Sequence, residues 1–148
     1  MDVDEFKNIL WEYTRKIGEN TNIAMNSLCD QFDLTILQMR ILMAIKQEGF
    51  HTIGSLAHTI HVAGTNMSTM CKRLEKKELI QRIRDQNDER VVKVILTDKG
   101  LHIVDEIDRM LIEKISQYVD NVSTETLYEI IAGLKKMNEL LEGLHTKY

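Results

Sequence analysis

Two runs of this 148-residue sequence gather side chains that bind phosphate and read base edges. In the first, Thr65, Thr69, Lys72 and Lys76 recur three or four residues apart, flanked by Asn66, Ser68 and Arg73. At about 100° per residue these positions share one side of a helix. Hydroxyl and amide groups there are short enough to approach base edges, and long cations beside them reach phosphates. The second run, 79–100, carries Arg82, Arg84, Arg90 and Lys93. Its apolar residues alternate at Ile80 and at Val92, Val94 and Leu96, on either side of the polar turn 85–89. That pattern predicts a two-stranded hairpin. The chemistry on offer is non-covalent recognition of a polyanion.

A lone hairpin is marginal in water, so helices must carry it. The other side of the basic helix supplies an inward stripe, Met67, Met70, Cys71 and Leu74. Just before it, Thr52 is placed to cap a short helix whose Ile53, Leu56, Ala57 and Ile60 lie on one face. The tight connection 61–64 joins the two as a helix-turn-helix. Upstream, Thr35 and Gln38 form a capping box before Leu37, Ile41, Leu42 and Ile45, and Gly49 ends that helix. Residues 3–28 predict a long first helix with the stripe Phe6, Leu10, Tyr13, Ile17, Ala24 and Leu28, and Trp11 off it. After the hairpin, Thr97 caps a fifth helix to about Val119, and Ser123 caps a sixth. In the sixth, Leu127, Ile130, Leu134, Met137, Leu141 and Leu144 form a heptad seam suited to a helix–helix interface. The fold class is mainly α with one small β-hairpin.

Composition narrows the function. The net charge of −4 argues against a nucleic-acid partner until its distribution is considered. Residues 72–99 hold nine Lys or Arg against six acids, leaving the rest of the chain strongly acidic. The absence of proline favours long helices. No apolar run is long enough to span a membrane, and the acidic start MDVDEFKN lacks a signal-peptide core, so cytoplasmic residence is expected. Two cysteines are too few for a disulfide framework. A Gly-rich phosphate loop, a GxSxG and a HExxH are all missing, so neither an enzyme nor a cofactor is expected. A helical homodimer that binds another protein through its basic face is the alternative. Met67, Met70 and Cys71 read as core, and His51, His102 and His145 as surface or interface residues.

Asp85-x-x-Asp88-x-Arg90 followed by Leu96-Thr97-x-x-Gly100 resembles the wing signature of the MarR family of bacterial transcription regulators. Leu74-Glu75-Lys76-Lys77-x-Leu79-Ile80-x-Arg82 resembles the end of that family's recognition helix, and Leu56-Ala57 its first helix-turn-helix helix. The resemblance implies a winged helix-turn-helix over 35–97 within a homodimer built from 1–34 and 98–148. It implies a repressor on a pseudo-palindromic operator, with Arg90 in the minor groove, Asp88 as its carboxylate partner, and Arg82, Arg84 and Lys93 on phosphates. It also implies release by a small aromatic effector, for which Trp11, Tyr13, Met39 and Met43 are candidate walls. Some members sense oxidants or zinc. Cys29 is the better placed thiol for the former, although Asp30 disfavours its thiolate, and His58 and His61 lack the further ligands for the latter. Two positions depart from the family pattern. Glu78 replaces a glycine, requiring a left-handed cap or another turn. Ala63 replaces a serine, passing the cap to Gly64 or Thr65.

Overall fold

In the computed structural model the described residues, 1–145, form six helices and one hairpin. Residues 146–148, the end of the expected 98–148 region, lie outside them, as does the side chain of His145, for which a surface or interface place is expected. The order is α1 (Val3–Asp30), α2 (Ile36–Glu48), α3 (Ile53–Ile60), α4 (Gly64–Lys76), β1 (Ile80–Arg84), β2 (Val92–Leu96), α5 (Asp98–Val119) and α6 (Thr124–His145). By contact the chain divides into two units, Met1–Met110 and Leu111–Tyr148. None of the described helices is long and apolar enough to cross a membrane.

The first unit holds the core. Ile41, Leu42 and Ile45 of α2, Leu56 and Ile60 of α3, and Met67, Cys71 and Leu74 of α4 pack with Leu79, Ile80 and Val94 of the hairpin region. Val104 and Ile107 of α5 close the same cluster. The expected caps are present: Thr35 and Gln38 bond reciprocally, and so do Thr52 and Ser55. Ala63 is itself the N-cap of α4 and has no side-chain bond, so neither Gly64 nor Thr65 takes that role. The α1 stripe is fully buried only at its end, and Leu10 is half-buried. Leu28 and Cys29 are buried, whereas Phe6, Tyr13 and Ile17 are exposed. In the second unit Ile115, Tyr118, Ile130, Leu134 and Leu144 are likewise exposed.

Three helices end in the same way. Asp33, His61 and Glu78 have positive φ near 52–60°. Behind each lies a Schellman pair of backbone bonds: Leu34 to Cys29 and Asp33 to Asp30, Val62 to Ala57 and His61 to His58, Leu79 to Leu74 and Glu78 to Glu75. Glu78 therefore adopts the left-handed cap that its position demands. The cost of about 1–2 kcal/mol for a side chain in that region is offset by two satisfied carbonyls.

The strands pair antiparallel, Ile80 with Leu96, Arg82 with Val94 and Arg84 with Val92. A further short bridge, with no counterpart in the sequence pattern, joins His51 to Val94 with N–H···O bonds in both directions. It corrects the placing of His51 at a surface. The side chain is 7% exposed, with Nδ1 2.8 Å from Ser55 Oγ.

The end of α4, the base of the hairpin and the first turn of α5 meet at one point. Thr97 donates its hydroxyl to Glu78 O at 2.6 Å and its amide to Leu79 O at 3.1 Å, and its Oγ1 accepts from Gly100 N at 3.0 Å. A Cβ on Gly100 would lie 2.0 Å from Leu79 O. Gly100→Ala is therefore expected to lower stability by about 2–3 kcal/mol, the scale of overpacking against atoms that cannot rotate away. A urea midpoint unchanged at fixed protein concentration would contradict it.

Both cysteines belong to this core. Burial pushes the Cys71 thiol up to about 11. Burial first and Asp30 second also raise that of Cys29, whose Sγ lies 3.5 Å from Met39 Sδ. The thiolate is the reactive form. A colorimetric thiol titration of the folded chain at neutral pH should find neither cysteine, and should find both after denaturation. Rapid labelling of either in the native protein at pH 7 would refute this.

Candidate nucleic-acid interface

On α4 the buried positions Met67, Cys71 and Leu74 fix which side faces outward. Thr65, Asn66, Thr69, Lys72, Arg73 and Lys76 are exposed, and Ser68 is half-buried. Thr69 Oγ1 donates to Thr65 O at 3.1 Å, which ties the hydroxyl to the helix and leaves its lone pairs outward. The sequence-derived face is thus assembled on one side of one helix.

The hairpin register separates its cations. Side chains alternate along a strand, so Ile80, Arg82 and Arg84 share a face with Val92, Val94 and Leu96. Ile83 and Lys93 occupy the other face. Arg82 turns back to α4, where Glu75 Oε2 accepts from Nε at 3.1 Å and from Nη2 at 2.7 Å. That bond to Glu75 holds the guanidinium even more firmly protonated than usual. Lys93 Nζ bonds Asp85 Oδ2 at 2.5 Å and stands 4.5 Å from the Phe50 ring centroid. The Lys93 ammonium, together with the amides of Asn87 and Asp88, holds the Asp85 carboxyl below its ordinary range.

Pairing therefore divides the candidate cations. Arg82 and Lys93 are engaged within the protein. Lys72, Arg73, Lys76, Arg84 and Arg90 have no carboxylate partner among the described residues. The expected Asp88–Arg90 ion pair is not formed. Asp88 Oδ1 instead accepts from the Arg90 backbone amide at 3.0 Å, so it orders the turn and leaves the guanidinium free. Lys77, close in sequence to these cations, is anchored on Asp33 Oδ2 and on the Asp33 carbonyl.

Sequence reasoning missed Glu75, Asp85 and Phe50. The first two are acids inside a basic stretch, and a count of charge hides which cation each one occupies. The four candidate effector walls do not come together in one chain. Met39 is buried in the core beside Cys29, Met43 is partly buried against that core, and Trp11 and Tyr13 stand open on α1. Eighteen residues of α1 separate Trp11 from Cys29, roughly 27 Å at the helical rise. The described residues hold no group of three or more His, Cys, Asp or Glu suited to a metal ion. His58 and His61 have ring centroids 6.5 Å apart.

A family model described as Transcriptional regulator SarA/Rot matches residues 24–107, more than half of the chain. Curated relatives include the HTH-type transcriptional regulator SarZ. That of Staphylococcus haemolyticus is 35% identical over 71 residues, covering 48% of this chain and 48% of that protein. That of Staphylococcus aureus is 27% identical over 129 residues, covering 87% of this chain and 78% of that protein. Among solved structures, a MarR family protein from Bacillus stearothermophilus superposes with a TM-score of 0.84 at 21% identity, covering 96% of this chain and 99% of that one. A mutant MarR from E. coli complexed with operator DNA does so with a TM-score of 0.74 at 21% identity, covering 92% and 98%. At these identities the structural likenesses establish the fold, and the relatives by sequence are regulators rather than enzymes. With its basic helix, its hairpin and the match over 24–107, the chain belongs to the SarA/Rot family of transcriptional regulators and is a DNA-binding protein of MarR-type winged-helix fold.

Proposed function

We propose that the chain is a homodimeric repressor that reads a pseudo-palindromic operator. In this reading α4 enters the major groove through Thr65, Asn66, Ser68, Thr69, Lys72 and Arg73. Arg90, at the hairpin tip, enters the minor groove, and Lys76 and Arg84 meet phosphates. A planar, always-charged guanidinium suits a narrow and strongly negative groove. The observation that carries the reading is the pairing pattern. Lys7, Arg15, Lys16, Lys46 and Lys77 are each matched with an acid, and in the first unit only Arg40 joins the five cations of α4 and the hairpin that have no carboxylate partner among the described residues. Cations left without partners on one helix face and one hairpin are free to release counterions from phosphate. Arg82 and Lys93 are withdrawn from the direct contacts, because each is occupied by an acid of its own chain.

Dimerisation is supported by the uncovered apolar residues of α1 and of the second unit, since each large side chain buried contributes about 1.5–3 kcal/mol. A dimer presents two copies of α4 to two half-sites, and such coverage of a promoter blocks other proteins by occupancy. Release by a small aromatic molecule belongs to the same reading. An effector site that used Trp11 and Tyr13 would be completed by the second copy, given their distance from Met39. The adaptor alternative gives no reason for the free cations to collect on α4 and the hairpin.

The test is fluorescence anisotropy on a duplex from the chain's own upstream region, with sedimentation establishing two copies per particle. Arg90→Ala should weaken binding by about 1–3 kcal/mol and reduce discrimination against competitor DNA. Equal affinity of wild type and Arg90→Ala for every duplex would exclude the reading.

A further inference from the structure

An acid sits in the middle of the cations proposed to meet phosphate, and it is largely enclosed. The Asp85 side chain is 15% exposed. Its Oδ1 accepts from the amides of Asn87 at 2.7 Å and Asp88 at 3.2 Å. Its Oδ2 takes Lys93 Nζ at 2.5 Å, and that ammonium also lies over the Phe50 ring. The Phe50 ring is 48% exposed, and its backbone is tied through its neighbour His51, which exchanges backbone bonds with Val94 and is buried in the helical unit. One carboxylate thus joins the hairpin turn, β2 and the segment between α2 and α3. The chain of bonds continues outward, for Asp88, whose amide Asp85 holds, accepts the amide of Arg90.

We propose that Asp85 is a positioning residue for DNA binding: the Asp85–Lys93–Phe50 clamp sets the direction in which the hairpin tip presents Arg90, and Lys93 serves the clamp instead of a phosphate. This rests on the reading of Arg90 as a DNA contact. Its physical consequence has a sign opposite to that of charge alone. Removing a negative charge from a basic surface strengthens attraction to a polyanion. Removing a strut that aims the tip weakens binding, because the entropy of ordering the tip must then be met on the DNA.

The experiment is anisotropy of the full chain on the same upstream duplex at two salt concentrations, with wild type, Asp85→Asn, Lys93→Met, the double variant, and Asp85→Asn in an Arg90→Ala background. Asparagine retains Oδ1 as acceptor for the turn amides, so the turn survives while the ion pair is lost. A thermal melt by circular dichroism accompanies each variant, and Lys93→Met carries the same comparisons should Asp85→Asn fail to fold. The clamp predicts about tenfold weaker binding for either single variant, and no further loss in the double, as expected of residues acting as one unit. It also predicts that Asp85→Asn costs less than about twofold once Arg90 is gone. Unchanged or tighter binding by Asp85→Asn, or an undiminished loss in the Arg90→Ala background, overturns the clamp while leaving the DNA reading in place. Absence of salt-sensitive binding by wild type overturns both.

Discussion

The close approach of Gly100 to the Leu79 carbonyl locks α4, the hairpin and α5 together. It leaves no room for a side chain, so the first turn of α5 lies against the residues that end α4 and begin β1. Thr97 makes the junction directional, giving its hydroxyl to Glu78 and its amide to Leu79. Lys99 adds a bond to the Lys77 carbonyl at 3.0 Å. The end of α4, the hairpin and α5 are therefore referenced to the same few backbone atoms. A displacement of α5 at its start would move the base of the hairpin and the end of α4 with it. The left-handed Glu78 is the backbone expression of this meeting, a local cost of about 1–2 kcal/mol that the junction holds in place.

Above that junction the distribution of acids matters more than their number. The chain is net acidic, yet five cations of α4 and the hairpin stand without carboxylate partners among the described residues. Glu75 and Asp85, counted as negative charge, each engage one cation and use it to fix the hairpin: Glu75 draws Arg82 against α4, and Asp85 draws Lys93 over Phe50. The same residue types thus do two jobs. Paired cations hold the scaffold, and unpaired ones are available to a polyanion. Asp88 belongs with the scaffold, since it orders the Arg90 backbone and leaves the guanidinium unengaged.

Much of this was legible in the sequence where local chemistry decides the outcome. Thr35 with Gln38, Thr52, Thr97 and Ser123 marked helix starts because a side-chain oxygen at that position satisfies an amide that nothing else can. The period-two run at Val92, Val94 and Leu96 gave a strand at its observed limits. The helical stripe Met67, Cys71, Leu74 told which side of α4 is outward. What escaped depended on residues distant in sequence or on a choice between neighbours. Two residues between Gly49 and Thr52 are too few to show a strand period, so the His51–Val94 bridge had no local signal. Arg82 could have stood without a partner, and Glu75, seven residues away, decides otherwise. Asp88 was paired with the wrong part of Arg90, because the resemblance fixed the residue and not the atom. Met39, a candidate effector wall by the resemblance alone, is core and packs on a cysteine from α1.

The central claim is that one face of α4 and the hairpin tip together make the DNA-binding surface. The most direct measurement is amide chemical-shift mapping of the labelled full chain titrated with duplex DNA from its upstream region. Shifts are expected to concentrate at 64–76 and 84–92, with α6 silent. Shifts concentrated in α6 or along the open face of α1, with α4 and the hairpin unmoved, would contradict it.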